Sequence, residues 1–517
     1  MNTVNFLGLP AQMFPDEEIL VFGERRYTYG QLWEMVQRLG NALRGLGVKS
    51  GDRVGALQTN SDHYIAAYYA TAAIGAVFVP LNYRAKPPEL EYMITTANIG
   101  VLLVGARYAP MIDELRARLG CVHTFVGLDA PEAGLRPIDE LIAAAPLEFE
   151  EAPIDDDDVT ILMYTSGTTS LPKGVMLRYN DFTAYVVGNT DMADGTPRGT
   201  ALLSAPLYHI AGATGIMTTL WTGRRLVVLP QFDATAWLEA VQREQVTHAF
   251  VVPTMMKQLI DHPDFARYDL SSLQNLSYGG AAMPFPVIRR AIEAFPATTG
   301  FVNAFGQTET TSTLTVLGPD DHKLDGPPEE VERNLKRLVS IGRPLPDVQV
   351  KVVDDDGNDM PTDGVGELWV FTPRTMKGYA AQDGAVSNPA LEGWLPTRDM
   401  GWIDADGYIF LAGRKDDMII RGGENISPAE IEAVLYSHQS VDEAAVIGLP
   451  DDEWGQRIAA VVVPRPGCTL DAVELTDFCK QRLASFKKPE RFHIVDSLPK
   501  NQMGKVLKKD LRAQLGG

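Results

Sequence analysis

Tyr164-Thr165-Ser166-Gly167-Thr168-Thr169-Ser170-Leu171-Pro172-Lys173-Gly174 is the stretch on which the reading of this chain turns. One apolar run, Val159–Met163, precedes it and a second, Val175–Leu177, follows, so the pattern predicts a loop between two strands. Small hydroxylated residues around Gly167 can aim backbone N–H and side-chain O–H groups at phosphate oxygens, and Lys173 adds a positive charge. The loop is not a Walker A sequence, because the GK[ST] ending is absent and a proline precedes the lysine. A Ser/Thr/Gly-rich surface loop would share the composition but not the Pro-Lys-Gly ending set against a strand.

Outward from this loop, short β-rich runs alternate with helical patterns. Leu226–Leu229 reads as a strand, Ala234–Glu244 as a helix, Ala249–Val252 as a strand and 253–261 as a helix. The runs 275–278 and 284–295 repeat the pattern. Such alternation predicts parallel sheets covered by helices, an α/β fold. From about Val348 the texture changes to hairpins, with turn clusters at 355–358 and 404–407. A small α+β unit follows, opened by Ser427-Pro428-Ala429-Glu430, which predicts a helix start with a capping box.

The chain has 517 residues, enough for roughly three to four domain-sized units. Three cysteines without a CxxC pair exclude a disulfide framework and a Cys-rich zinc site, and fit a reducing cytoplasm. A net charge of −21 argues against nucleic acid as a partner. The charge is uneven: from Lys480 to Gly517 there are ten Lys/Arg against three Asp/Glu, a basic tail suited to a phosphate-rich small ligand. No signal peptide is evident at Met1-Asn2-Thr3-Val4. The 17 uncharged residues Ile65–Leu81 reach the lower limit for a membrane span. Gly75 and Pro80 divide them into a buried helix and a strand, so no integral membrane span is expected.

The phosphate loop resembles the signature of the adenylate-forming superfamily, in its acyl-CoA synthetase branch. The resemblance continues in order along nearly the whole chain: Pro206-Leu207-Tyr208-His209, Tyr278-Gly279-Gly280-Ala281, Asn303-Ala304-Phe305-Gly306-Gln307-Thr308-Glu309, Thr397-Arg398-Asp399, Gly413-Arg414-Lys415-Asp416-Asp417, Gly422-Gly423-Glu424-Asn425 and Pro499-Lys500-Asn501-Gln502-Met503-Gly504-Lys505. It implies a large N-terminal domain of layered, mostly parallel sheets with helices and a β-rich subdomain, residues 1–415. A small mobile α+β domain, 416–517, would carry the catalytic lysine and swing on a hinge near Asp416.

The resemblance also implies roles. Lys505 would sit beside the carboxylate and the ATP α-phosphate, cancelling the repulsion between them. Glu309 matches the Mg²⁺ ligand, a hard-oxygen donor for a hard cation. ATP would be bound by Thr165, Ser166, Gly167, Thr168, Thr169, Lys173, Gly280, Ala281, Asn303, Phe305, Gly306, Thr308, Asp399 and Arg414 as well as Lys505. Within that set, Asp399 and Arg414 hold the ribose, Asn303 reads the adenine amino group and Phe305 stacks on the ring. His209, Gly279 and Gly306 would line the acyl pocket, His209 at its carboxylate end. Gly422 and Gly423 would admit the CoA arm. Relatives that activate acetate or propionate carry Trp at the position of Gly306, so an acid larger than propionate is expected: medium-chain, alicyclic or aromatic.

This chain departs from the family pattern at four places: Phe305 for Tyr, Ser170 for Gly, Arg398 for the Gly before Asp399, and Met503 for Thr or Ser. None removes a charged catalytic group. The expected function is ATP-dependent carboxylate–CoA ligation, with Mg²⁺ as cofactor, ATP and CoA as co-substrates and a small carboxylate as partner; a homodimer is left open. The rivals are a stand-alone adenylation enzyme loading a carrier protein and a non-catalytic nucleotide-binding protein. The Tyr208–Gly212 region lacks the Asp used by amino-acid-activating relatives, and Lys505 and Glu309 are both present.

Overall fold

The computed structural model describes residues 1–129, 134–165, 171–380, 385–422, 424–451, 453–501 and 504–516. Among them, two large sheets of nine strands each dominate. In the first, Gly300–Gln307, Asn275–Gly279, His248–Val251, Thr200–Leu203, Arg225–Val228 and Glu18–Phe22 run parallel side by side. Antiparallel strands close both edges, Ser312–Leu317 beside Gly300–Gln307 and Arg25–Thr28 beside Glu18–Phe22. The parallel strands end on the same side, where ligands of open α/β sheets collect.

The second sheet places Val77–Pro80, Arg53–Leu57, Val101–Val104 and Thr124–Gly127 in parallel. Its other half is antiparallel, built on Val159–Thr165 paired with Lys173–Arg178, with Thr165 opposite Lys173. The candidate phosphate loop therefore joins two antiparallel strands of a sheet that is otherwise largely parallel. The helix Asp62–Ala73 lies between the sheets with every residue buried, which explains why Ile65–Leu81 is apolar throughout without being a membrane span. No helix among the described residues is long and apolar enough to cross a membrane.

The expected change of texture is present. Gln349–Val353, Gly366–Phe371, Leu395–Ile403 and Ile409–Arg414 form a four-stranded antiparallel sheet. Beyond it, Ile419–Arg421 pairs with Glu424–Ile426, and Val441–Asp451, Gly455–Pro464 and Arg491–Ile494 make a three-stranded sheet. Helices Pro428–Tyr436, Ala472–Lys480 and Lys508–Leu515 cover that sheet. The buried apolar clusters here draw only on residues from Ile419 onward. Ser427 caps the first of these helices by accepting from Glu430 N at 3.3 Å, a contact that contributes about 1 kcal/mol. Only that half of the expected capping box forms, because the Glu430 carboxylate pairs with Lys487 at 2.7 Å instead.

Candidate active site

Asp399 and Arg414 face each other across the hairpin of Leu395–Ile403 and Ile409–Arg414. Arg414 Nη1 lies 2.9 Å from Asp399 Oδ1, and Gln307 Nε2 donates to Asp399 Oδ2 at 2.6 Å. Burial raises the Asp399 carboxyl above its usual range, while Arg414 acts in the opposite direction. The buried charge is thus paired and hydrogen-bonded, as burial demands.

Lys505, from the far end of the chain, lies near enough for its charge to act on this pair, with no ion pair or hydrogen bond to it among the described residues. Burial of its amine and the nearby Arg414 guanidinium lower its pKa below the ordinary lysine value, against the pull of Asp399 and Asp417. Its approach depends on Gly504, which has φ +74°, and an ideal Cβ there would fall 2.5 Å from Thr254 Cγ2. Thr254 belongs to the helix Pro253–Ile260, so the loop bearing Lys505 rests against the first large sheet's layer. Lys257 of the same helix reaches Asp442 of the C-terminal sheet at 3.2 Å. Gln502 and Met503 lie outside the described residues.

Glu309 sits at the turn Thr308–Thr310 that ends the strand Gly300–Gln307. Its Oε1 accepts from the Tyr379 hydroxyl at 2.9 Å, and Lys173 Nζ lies 5.1 Å from the centre of the Tyr379 ring. Its second oxygen has no hydrogen bond among the described residues, which leaves a hard donor of the kind Mg²⁺ takes alongside phosphate oxygens. No cluster of three or more His, Cys, Asp or Glu suited to a metal occurs among the described residues. One carboxylate completed by substrate oxygens is therefore the arrangement these residues fit. Thr165 ends its strand half-buried beside Lys173, whereas Ser166, Gly167, Thr168, Thr169 and the variant Ser170 fall outside the described residues.

Asn303 and Phe305 lie on the strand leading to Glu309, both half-buried. The Asn303 amide donates to Ser340 O at 3.2 Å, and Phe305 packs on two apolar clusters. Gly279, Gly280 and Ala281 form the turn after Asn275–Gly279, the neighbouring parallel strand. Gly306 is closely enclosed by backbone. An ideal Cβ there would fall 1.8 Å from Ser312 O and 2.8 Å from Thr313 Cα. Glycine permits the close backbone approach at the irregularity between Phe305 and Gly306.

His209 stands at the N-cap of the helix Ile210–Thr222, stacked at a tilt on Tyr208 with ring centres 4.4 Å apart. Its Nε2 is buried without a hydrogen-bond partner among the described residues. Burial, then the positive Arg84, push its pKa down to about 4, so it is a neutral imidazole at pH 7. Gly422 lies in another part of the C-terminal unit: its N–H donates to Trp454 O at 2.9 Å, beside the exposed side chains Ile420 and Trp454. Gly423 is outside the described residues. Asp416 occupies the single turn Lys415–Asp417 between the four-stranded sheet and the C-terminal unit.

Three residues that touch this constellation went unread in the sequence. Gln307 lay inside a quoted motif and could have been found there. Tyr379 and Thr254 carry no local signal, since only the tertiary fold brings them to Glu309 and Gly504.

Two large sheets, a four-stranded antiparallel sheet and a small C-terminal α+β unit, with Asp399, Arg414 and Glu309 brought close together, make the architecture of an adenylate-forming enzyme. The chain belongs to the AMP-binding enzyme family. The model of that family matches residues 10–380, and that of the AMP-binding enzyme C-terminal domain matches 430–505. The chain is 36% identical over 512 residues to feruloyl-CoA synthase of an Amycolatopsis species, covering 98% of this chain and 97% of that one. It is 34% identical over 517 residues to indoleacetate–CoA ligase of Aromatoleum aromaticum, covering 99% and 98%. Among solved structures, o-succinylbenzoate CoA synthetase from Bacillus subtilis, in complex with its acyl-adenylate intermediate, superposes with a TM-score of 0.84 at 29% identity, covering 98% of each chain.

Proposed function

We propose that this protein is an ATP-dependent carboxylate–CoA ligase for an acid larger than propionate, medium-chain, alicyclic or aromatic. The observation that carries the reading is the buried Asp399 carboxylate held by Arg414 and Gln307, close enough to the Lys505 amine for the charges to act on one another. In the first step a carboxylate oxygen of the acid attacks the α-phosphorus of ATP, and pyrophosphate leaves. The two reactants are anions, and the Lys505 ammonium neutralises the charge that accumulates between them. Asp399 accepts from the ribose hydroxyls while Arg414 and Gln307 hold its carboxylate in place. Phe305 packs against adenine. Glu309 would hold Mg²⁺, which supplies charge neutralisation on the phosphates. Neutral His209 closes the carboxylate end of the acyl pocket without adding a charge.

In the second step the CoA thiolate attacks the acyl carbonyl, and AMP leaves with the bonding electrons. Gly422 and Gly423 would admit the thin pantetheine arm, yet Lys505 now occupies the site. Residues 416–517 therefore rotate as a unit about Asp416, placing each face in turn. This division at 415/416 is supported by the apolar clusters that begin at Ile419 and by the short turn at Lys415–Asp417.

The test is carboxylate-dependent pyrophosphate release, measured with and without CoA across acids of graded length and ring content. Acyl-CoA and AMP should form in equal amounts. Pyrophosphate release with no thioester formed on CoA would instead favour a carrier protein as acceptor.

A further inference from the structure

A cavity of about 190 Å³ runs between the helix Ile210–Thr222 and the first large sheet. Its near end is formed by Ala205, Ala211 and Ser277, close to His209 and Gly279; its far end is formed by Thr219, Arg224 and His248. The direction follows from the topology. The strands Thr200–Leu203, His248–Val251 and Asn275–Gly279 are parallel and end toward the candidate active site. The helix runs the opposite way, with His209 at its start and Arg224 just past its end. From Ala211 to Thr219 it climbs about 12 Å at ~1.5 Å per residue.

Arg224 is unlike its neighbours. Arg225 is paired with Glu18 at 3.0 Å and Glu244 at 3.4 Å. The Arg224 guanidinium has no ion pair or hydrogen bond among the described residues, and its Nε is buried without a partner. The other charge acting on it is Arg198, also positive. His248 adds no further charge, because burial and Arg224 itself keep that imidazole neutral at pH 7. A second orphaned polar atom, Ser204 Oγ, belongs to a residue lining the same cavity. Arginine cannot shed its proton, so a half-buried guanidinium without a carboxylate is a standing electrostatic deficit. The carboxylates paired with its neighbours are committed there: Glu244 to Arg26, Arg225 and Arg243, Glu18 to Arg26 and Arg225, and Asp194 to Arg198.

We propose that the acid this protein activates carries a second carboxylate, and that Arg224 binds it at the far end of this cavity, about 12 Å along the helix from Ala211. This rests on the ligase reading and narrows its substrate to a dicarboxylic acid with a mostly apolar middle. A planar guanidinium suits a carboxylate because it offers two parallel N–H donors. The apolar middle lies against Leu203, Leu226 and Phe250. Arg224 is a specificity-determining residue here, remote from the reacting atoms.

The experiment compares decanedioate, its monomethyl ester and decanoate, three probes that share a chain and differ in the far group. Binding is measured by calorimetry and by the ligand-induced rise in Tm, and activation by pyrophosphate release. Wild-type enzyme should bind decanedioate at least tenfold more tightly than the ester or decanoate. Arg224→Leu and Arg224→Gln should abolish that preference, and Arg224→Lys should restore part of it. Removal of an unpaired charge should leave the Tm of the free variants unchanged or raised, so lost binding will not reflect unfolding. Equal binding of the three probes by wild type, or a preference that survives Arg224→Leu, overturns the proposal. Binding is read without turnover, so failure of every acid to drive pyrophosphate release would count against the ligase reading alone.

Discussion

The guanidinium of Arg398 clasps the carboxylate of Asp416, with Nε 3.1 Å from Oδ2 and Nη2 on Oδ1. Arg398 holds this position with φ +62°, a left-handed backbone that costs a residue with a Cβ about 1–2 kcal/mol and glycine little. The arginine that replaces the family's usual glycine thus ties the residue before Asp399 to the proposed hinge. The pairing also holds the Asp416 carboxyl below its usual range.

Arg398→Gly should relieve the backbone strain and free Asp416. The adenylating arrangement then loses a tether, so thioester formation from supplied acyl-adenylate should rise relative to adenylation, by up to about fivefold for an interaction near 1 kcal/mol. The ratio of the two half-reaction rates measures it. An unchanged ratio would show that the pair does not restrain the hinge.

Lys505→Ala should separate the two steps more sharply. Loss of a charge aimed at the transition state costs about 3–4 kcal/mol by analogy with an oxyanion-hole donor, a fall in adenylation of two to three orders of magnitude. Thioester formation from supplied adenylate should largely survive. Equal loss in both assays would contradict the role given to Lys505.

Gly306→Trp should fail as a structure rather than retune specificity. Even a Cβ meets Ser312 O at 1.8 Å, and the obstacle is backbone in the adjacent strand. Overpacking there should destabilise the fold by more than the ~1–3 kcal/mol of ordinary core cases, lower the Tm sharply and depress activity toward all acids alike. A folded variant with a clean shift toward acetate would refute this account.

Acid should weaken the fold through its buried histidines. Burial first, in each case, pushes His209, His248 and His322 down to about 4. The unfolded chain protonates these residues near pH 6.5 and the folded one does not until about pH 4. Between those values the unfolded state binds more protons, so stability falls as pH falls, by at most about 1.4 kcal/mol per pH unit for each histidine. Urea titrations from about pH 7 to 4.5 should show it, and His248→Asn should flatten the slope.

Much of the molecule was written in local pattern. The helix Ala234–Glu244 emerged at its expected bounds, and the strands at 226–229, 249–252 and 275–278 were displaced by no more than one residue, because apolar periodicity and turn residues act over a few positions. The motif residues Asp399, Arg414 and Glu309 were singled out through the resemblance of the runs that hold them to a known family. What each one touches was not. Tyr379 on Glu309, Thr254 against Gly504, Asp416 under Arg398 and the unanswered charge of Arg224 depend on which sheet lies beside which. Gly306 shows the difference at a single position: the sequence determined that no side chain stands there, and only the tertiary structure decided why. The reason is the carbonyl of Ser312, brought against it by strand pairing, and pairing is fixed by the packing of the whole sheet rather than by the residues on either side.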